Sequence, residues 1–220
     1  MLSLIQAAAP GTPFIYAPAL AVMNPRTGML SSGAIENGLL SSAAIEMARY
    51  YEIPVEGSGG GTDTHAAGVQ STLERAMNAM LPMLSWPDLM VGGGLMGGSM
   101  ILSLEQLVID AEMFRMNKQA HRGIGANEDT WLDDVIQRVG PGGNFLGEKS
   151  TVTSMRSGEW LIPRIGVHEP QKAWEASGKK DILEEAREKV EMLLSTHKPL
   201  PLGDDVEAEL DKIQKRAEES

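Results

Sequence analysis

The chain has no cysteine among its 220 residues. This absence excludes disulfides, thiolate metal sites, iron–sulfur clusters and a cysteine nucleophile. His121, His168 and His197 are far apart in the sequence and show no metal-binding spacing. We therefore expect no protein-bound metal. Any chemistry must use oxygen and nitrogen side chains, backbone groups or a group brought by another molecule.

Basic charge is also scarce, with 19 Lys and Arg residues against 30 Asp and Glu residues and a net charge of -11. Nucleic acids and anionic membranes reward basic patches, so we expect neither as a partner. A neutral or cationic substrate is easier to accommodate. The apolar residues 1–9 carry no basic group and are too short to span a membrane. These features favour a cytoplasmic protein.

Two glycine-rich turns, at residues 57–65 and 92–99, are the most informative feature of the chain. Each follows a short apolar run and precedes a helical pattern, which is typical of βα units. Ligands of parallel α/β folds bind at the loops that leave the carboxyl ends of the strands. Neither turn matches a Walker A or dinucleotide-binding pattern. The glycines are explained either by tight turns with positive φ or by close approach of a ligand.

Apolar spacing predicts three strands, at residues 13–17, 53–55 and 88–91, each followed by a helix. The predicted inner face of the first helix comprises Leu39, Leu40, Ala43, Ala44, Met47 and Ala48. The second helix runs from Val69 to about Leu81, with Leu73, Met77 and Met80 inside and Pro82 as its end. Ser103 caps the third, whose acidic residues Glu105, Asp110 and Glu112 are expected at the surface.

The second half of the chain is predicted to be mostly helical. Helices are expected at residues 127–139, 171–177, 180–195 and 207–217, while residues 145–170 show no regular periodicity. The fold class is α/β, and the chain begins almost at once with a strand. Because eight parallel strands need about 250 residues, the chain is either a small open α/β domain or the later part of a larger barrel.

Several ordered sequence blocks together resemble the trimethylamine:corrinoid methyltransferase (MttB-like) family. Those in the first half are Ile53–Val55, Gly59–Asp63, Gln70, Glu74–Ala76, Gly92–Leu95 and Ser103–Glu112. Those in the second half are Phe145–Thr151, Trp174–Gly178 and Pro199–Leu202. The resemblance covers nearly the whole chain. Family members are about twice as long, so the chain resembles their C-terminal half.

The resemblance implies the C-terminal part of a (β/α)8 TIM barrel followed by a mostly helical tail. Residues 1–123 would supply partial barrel units, and residues 124–220 the completion of the barrel and the tail. The implied activity, part of one-carbon metabolism such as methanogenesis, moves a methyl group from an amine to Co(I) of a corrinoid protein. Cobalamin would thus be carried by a partner protein. Such a step needs positioning and a dry pocket rather than a general base, so no catalytic residue is assigned.

The chain departs from the family where the trimethylamine enzymes carry pyrrolysine, because Gly59–Gly61 stands there instead. This departure implies the non-pyrrolysine branch and a quaternary amine such as glycine betaine. Thr64-His65 stands where the amine enzymes have Ala-Lys, and Gly68 where many members have Asp.

Four residues are candidates for binding the substrate. Tyr16 and Glu36 could hold a methylammonium group through cation–π contact or charge, while Trp86 is expected in the core. Asp63 is either a substrate contact or a cap or turn residue. His65 is either a surface loop residue or a donor to a substrate carboxylate. The loops expected to face the corrinoid contain Gly59, Gly60, Gly61, Gly93 and Gly94.

Two other functions remain open at this point. One is a noncatalytic half-barrel or assembly module that pairs with itself or with a separate N-terminal half, because an unclosed parallel sheet exposes unpaired strand edges. The other is a small α/β binding protein of unrelated function. A sheet covered by helices on both faces would favour the second.

Overall fold

The structure, a computed structural model, describes residues 2–218. Its helices are α1 (Leu2–Ala8), α2 (Ile35–Tyr50), α3 (Val69–Leu84), α4 (Leu104–Arg122), α5 (Glu128–Trp131), α6 (Asp133–Val139), α7 (Lys149–Arg156), α8 (Gln171–Ala176), α9 (Ile182–Thr196) and α10 (Asp204–Glu218). Its strands are β1 (Val22–Met23), β2 (Leu30–Ser31), β3 (Glu56–Ser58), β4 (Leu89–Val91), β5 (Leu95–Met96) and β6 (Ile101–Leu102). Contrary to expectation, helix α1 precedes the first strand segment.

Three parallel segments form the sheet that positions the site. Strands β3 and β4 are parallel, with Ser58 opposite Val91. On the other edge of β3, Tyr16 forms a parallel bridge to Val55. The order in the sheet follows the order in the chain, and a helix follows each segment. The α/β class is thus confirmed, although no barrel closes within residues 2–218.

Two short antiparallel hairpins interrupt the loops after the first and third segments. Strand β1 pairs with β2, and β5 pairs with β6. Residues 24–28, whose Asn-Pro-Arg-Thr-Gly sequence is typical of a turn, form the tip of the first hairpin, where the Gly28 N–H donates to the Asn24 carbonyl over 2.8 Å. Strands of two residues leave no periodicity in the sequence, which is why the hairpins were not predicted.

Helices α2 and α3 pack on β3, and α4 packs beside α3. Ile45, Ala48 and Val55 form the core between α2 and the sheet. The predicted inner face of α2 is partly wrong, because Leu39, Leu40 and Met47 are exposed. The buried face instead contains the small residues Asn37, Gly38, Ser41 and Ala44 with Ile45 and Ala48. Small side chains allow α2 and α3 to approach closely.

The predicted inner face of α3 is wrong for a different reason. Leu73, Met77 and Met80 are exposed, and half of the buried residues are polar; the buried face comprises Ser71, Arg75, Asn78, Ala79, Pro82 and Met83. This face contacts loop backbone, whose N–H and C=O groups need polar partners when buried. Pro82 does not end the helix, which continues to Leu84.

Within residues 2–218, no helix other than α2 and α3 makes extensive contact with β3, which leaves the opposite face of the sheet without a helical layer. A Cβ at Gly57 would meet Ile45 of α2, so Gly57 points towards the helices. Because side chains alternate along a strand, Glu56 and Ser58 point away from them. Leu89, opposite Glu56, is half exposed. The sheet is thus not covered on both faces, which disfavours the small doubly covered α/β domain.

The second half of the described chain is helical, as predicted. The Ser103 hydroxyl accepts a hydrogen bond from the Gln106 N–H over 3.1 Å, so the predicted cap of α4 is confirmed. Helix α9 packs on α4 around Ile109 and Ala186. Helix α7 was not predicted, and the expected helix at 127–139 is divided at Leu132, which has a φ of 54°. None of the helices between residues 2 and 218 is both long and apolar enough to cross a membrane.

Candidate functional site

The loops that leave the three parallel segments meet at one edge of the sheet; we call residues 17–34, 59–68 and 92–103 the mouth loops. The β3–β4 register continues into them and brings the two glycine turns together. A Cβ at Gly92, where φ is +104°, would lie 2.9 Å from the Gly59 carbonyl oxygen. Glycine is therefore required at position 92 by both backbone conformation and contact.

Asp63 joins the second mouth loop to the first. One carboxylate oxygen accepts from the Ser31 hydroxyl over 2.6 Å, and the other accepts from the backbone N–H groups of Ser32 and Gly33 over 2.5 and 3.1 Å. Both oxygens are thus engaged by the chain itself. This is the turn-forming role, and substrate contact by Asp63 stays a prediction.

His65 lies between the second and third mouth loops. Its imidazole is exposed, and a Cβ at Gly97 would lie 3.0 Å from His65 Cδ2. The Gly97 N–H donates to the Thr64 carbonyl over 2.9 Å, which fixes the two loops beside the ring. The ring itself faces solvent and remains available to a ligand.

The other two substrate candidates lie apart from this pair. Glu36 is exposed in the first turn of α2. Tyr16 is opposite Val55, so its side chain is on the helical face of the sheet. There it lines a separate cavity with Phe14, Met47 and other residues near the end of α2. The structure therefore does not bring Tyr16 together with Asp63 and His65.

Asn78 on α3 holds the first two mouth loops and was missed in the sequence. Its amide oxygen accepts from the Gly60 N–H over 2.5 Å, and its amide nitrogen donates to the carbonyls of Gly61 and Ser32 over 2.9 and 3.2 Å. The side chain is almost fully buried. Three hydrogen bonds from one amide leave little freedom in the glycine turn.

Glu74, one turn earlier on α3, holds the other end of the same turn. Its carboxylate accepts from the Thr62 hydroxyl over 2.6 Å, from the Asp63 N–H over 3.0 Å and from the Gln70 amide over 2.7 Å. Gln70, Glu74 and Asn78 are four residues apart and so lie along one side of the helix. This polar spacing was the available sequence signal.

Arg75 and Asp110 hold the third mouth loop. Their side chains are 0% and 1% exposed and form an ion pair between α3 and α4. Arg75 also donates to the carbonyls of Gly92 and Leu95, and Asp110 accepts from the Gly94 N–H over 2.7 Å. The expectation that Asp110 is a surface charge is wrong, because this pairing makes its burial tolerable. Glu112 is also buried and pairs with Arg115.

Four of the five glycines predicted to face a corrinoid have their Cβ directions filled by the chain itself. A Cβ at Gly59 would meet the backbone of α3, and one at Gly61 would lie 2.5 Å from the Ser32 carbonyl oxygen. A Cβ at Gly93 would lie 3.1 Å from Leu107 Cδ1, and one at Gly94 would lie 3.0 Å from Leu107 Cβ. Gly60, with a φ of +73°, is buried. Tight packing and positive φ therefore account for these glycines without a ligand.

A cavity of about 420 Å³ opens between the mouth loops. Its lining has no ionisable side chain and consists of Ala19, Leu20, Ala21, Leu30, Ser32, Asn37, Ser58, Gly59, Gly61, Asn78, Val91, Gly92, Leu95 and Ser99. A larger cavity of about 740 Å³ lies among α4, α6 and α7 and shares no residue with it. Among residues 2–218, no group of three or more His, Asp and Glu side chains is arranged to bind a metal.

Trp86 is not the core residue expected. It is partly exposed, with a φ of 61°, and its ring stacks on that of His121 with centroids 3.9 Å apart. Its carbonyl accepts from Arg49 over 2.7 Å. Because Trp86 precedes β4, it lies at the end of the sheet opposite the mouth loops.

Comparison with known proteins gives a family for the chain. The family model described as trimethylamine methyltransferase (MTTB) matches residues 1–220. Trimethylamine methyltransferase MttB of Methanosarcina barkeri is 32% identical over 219 residues, covering 99% of this chain. Glycine betaine methyltransferase of Desulfitobacterium hafniense is 30% identical over 210 residues, covering 95% of it. The chain spans about 43% of the length of each of these relatives.

Proposed function

This chain belongs to the trimethylamine methyltransferase family, and we propose that it forms the C-terminal part of a (β/α)8-barrel methyltransferase. The proposed reaction moves a methyl group from a methylated or quaternary amine, such as glycine betaine, to Co(I) of a corrinoid protein. With a quaternary amine the carbon–nitrogen bond breaks, the methyl carbon bonds to cobalt, and the neutral amine leaves with the electron pair. We infer a cytoplasmic role in one-carbon metabolism, such as methanogenesis.

The observation that carries this proposal is the uncharged cavity among the mouth loops. Methyl groups pack well against small and apolar side chains, and Ala19, Leu20 and Leu30 supply such a surface in the lining. A quaternary nitrogen is already an activated leaving group, so the site needs orientation and no general base. The net charge of -11 attracts a cation towards the protein.

Within this proposal His65 and Glu36 are the candidate substrate contacts; both are exposed near the mouth loops, and neither lines the cavity itself. A protonated or hydrogen-donating His65 suits the carboxylate of glycine betaine, and Glu36 suits its positive nitrogen. Asp63 acts chiefly by positioning the loop that carries His65. Tyr16 could act only on a ligand that reaches its separate cavity.

The corrinoid enters the reaction as the methyl acceptor on a partner protein. The glycine turns supply no large cradle for it, because the Cβ directions of Gly59, Gly61, Gly93 and Gly94 are occupied. The exposed apolar tip of the β5–β6 hairpin, with Met100 and Leu102, supports docking of the partner at the mouth. We assign no bonding step to any residue of these loops.

The uncovered sheet face favours a second candidate, a half-barrel assembly module. Leu89 is half exposed on that face, and the outer edges of Tyr16 and β4 pair with no strand of residues 2–218, which favours another sheet closing against them. That sheet would come from a separate N-terminal half or from a second copy. In this case the isolated chain has no methyltransferase activity, and activity arises only in the assembly.

One assay separates the two candidates. The chain is mixed with a Co(I) corrinoid protein and glycine betaine, and the absorbance of methyl-cobalt is followed. Transfer by the chain alone supports an active methyltransferase. Transfer only after addition of a family N-terminal half supports an incomplete barrel. No transfer in either mixture, with a full-length glycine betaine methyltransferase active as positive control, would contradict the methyltransferase proposal.

A further inference from the structure

Glu56, the first residue of β3, has a partly buried carboxylate without a partner. Its backbone N–H donates to the Tyr16 carbonyl over 2.9 Å, but within residues 2–218 no hydrogen bond or ion pair involves its carboxylate. Burying a carboxylate costs free energy unless a cation or a hydrogen-bond donor accompanies it. The group is therefore suited to a positive charge that comes from another molecule.

The neighbours of Glu56 in the sheet are apolar. The β3–β4 register places Leu89 on one side of it. The bridge between Tyr16 and Val55 places Ala17 on the other side. Paired residues of neighbouring strands share one face, so these three side chains lie on the face that no helix covers. None of these neighbours can neutralise the carboxylate.

Glu56 lies just below the cavity among the mouth loops. Ser58, two residues further along β3, has its side chain on the same face and lines the cavity together with Val91. Two residues of a strand span about 7 Å, so the carboxylate is within a side-chain length of the cavity floor. At this separation a charge in the cavity interacts appreciably with Glu56.

The mouth loops contain little positive charge that could offset Glu56. Arg26, at the tip of the first hairpin, is the only Lys or Arg residue in them. Arg75 beside the third loop is already paired with Asp110. The negative charge of Asp63 is shared among three hydrogen-bond donors of the chain, whereas that of Glu56 is not. Glu56 thus supplies an uncompensated negative charge next to the cavity.

We propose that Glu56 determines the charge specificity of this cavity. Its carboxylate stabilises a methylated ammonium group seated beside Ser58 and Val91, and it gives no such advantage to a neutral group of the same shape. Glu56 acts by charge and forms no bond to the ligand. This inference deepens the proposed function, on which it rests for the choice of a methylated amine.

Binding of two matched probes to the full chain tests the proposal. One is choline, and the other is its neutral analogue, in which a tert-butyl group replaces the trimethylammonium group. At low ionic strength the wild-type chain should bind choline about tenfold tighter than the analogue, measured by titration calorimetry. Glu56→Gln keeps the size of the side chain but removes its charge, so it should weaken choline binding and leave the analogue unchanged. A purely structural role would weaken both probes alike.

Two further variants complete the test. Glu56→Asp retains the charge and should keep most of the preference for choline. Glu46→Gln makes the same change in net charge at an exposed position of α2 and should behave like wild type. Wild-type protein that binds neither probe or binds both equally, or a preference that Glu56→Gln leaves intact, would overturn the proposal.

This outcome is distinct from that of the methyl-transfer assay. A chain that transfers methyl groups but shows no preference for choline would overturn only the role of Glu56. A preference that depends on Glu56, in a chain that transfers no methyl group in any mixture, would support the role of Glu56 and contradict only the proposed reaction.

Discussion

Arg75 of α3 and Asp110 of α4 form an ion pair closed to solvent, and together they hold the backbone of the loop that follows β4. Removing one partner leaves an unpaired buried charge. Arg75→Met is therefore expected to lower the free energy of unfolding by about 3–5 kcal/mol. Urea unfolding measures this value, and the double variant Arg75→Met/Asp110→Leu should recover part of it. A single variant as stable as wild type would contradict the burial of this pair.

Gly92 and Gly98 provide a matched pair for the glycine turns. Both have positive φ, but a Cβ at Gly92 meets the Gly59 carbonyl, whereas at Gly98 the nearest contact is Ser32 Oγ at 4.0 Å. Gly92→Ala should cost about 1 kcal/mol or more beyond Gly98→Ala, because only the first adds a backbone clash. Thermal unfolding of the two variants side by side checks the difference. Equal losses would show that the two turns are not in contact.

Asp63→Ala is expected to loosen the first mouth loop. The amides of Ser32 and Gly33 lose their acceptor, so their hydrogen exchange should become about tenfold faster. Glu36→Gln, a carboxylate change a few residues away, is the control and should leave those amides unchanged. If the exchange of these two amides is unchanged in Asp63→Ala, other contacts hold the loop and the prediction is wrong.

His65→Ala tests the proposed contact with the substrate carboxylate. In a mixture that transfers methyl groups, KM for glycine betaine should rise about tenfold, since a charge-assisted hydrogen bond is lost. Tetramethylammonium has no carboxylate, so its KM should stay the same. An equal effect on both substrates would assign His65 to loop structure rather than to carboxylate binding.

Glu105 gives a pH-dependent contribution to stability. Backbone hydrogen bonding at the start of α4, the Ser103 hydroxyl and Arg187 hold its pKa below the usual range for a glutamate. The folded state therefore favours the ionised form, and this contribution is present above the unfolded pKa and lost as the pH falls through the folded pKa. Glu105→Gln should flatten the fall in stability below about pH 5. The same dependence of the free energy of unfolding on pH in Glu105→Gln and in the wild-type protein would contradict this prediction.

The sequence predicted the elements better than their buried faces. The Ser103 cap and the strand predicted at residues 88–91 follow from local spacing, and both are found in the structure. The strand predicted at 53–55 lies instead at Glu56–Ser58, and the one predicted at 13–17 is reduced to a bridge between Tyr16 and Val55. The buried face of α3 could not be predicted from apolar spacing, because it binds loop backbone through Arg75 and Asn78. Only the three-dimensional arrangement brings residues 32, 60 and 92 to one helix.

Among the predicted site residues, Asp63 and His65 were correctly placed in a loop at the end of a strand. The side chain of Tyr16 could not be placed from the sequence. Its direction depends on the pairing of Tyr16 with Val55, which the sequence does not reveal. The polar line of Gln70, Glu74 and Asn78 was visible as a four-residue spacing. It was missed because polar residues on a helix are usually solvated.

Helix α3 contacts the loops of all three parallel segments through Asn78, Glu74 and Arg75. These loops therefore cannot become ordered independently, since each depends on the same docked helix. Energetically they form one cooperative unit, in which a change in one loop alters the stability of the others. A ligand that orders any of the three should thereby preorganise the remaining two for the next molecule to bind.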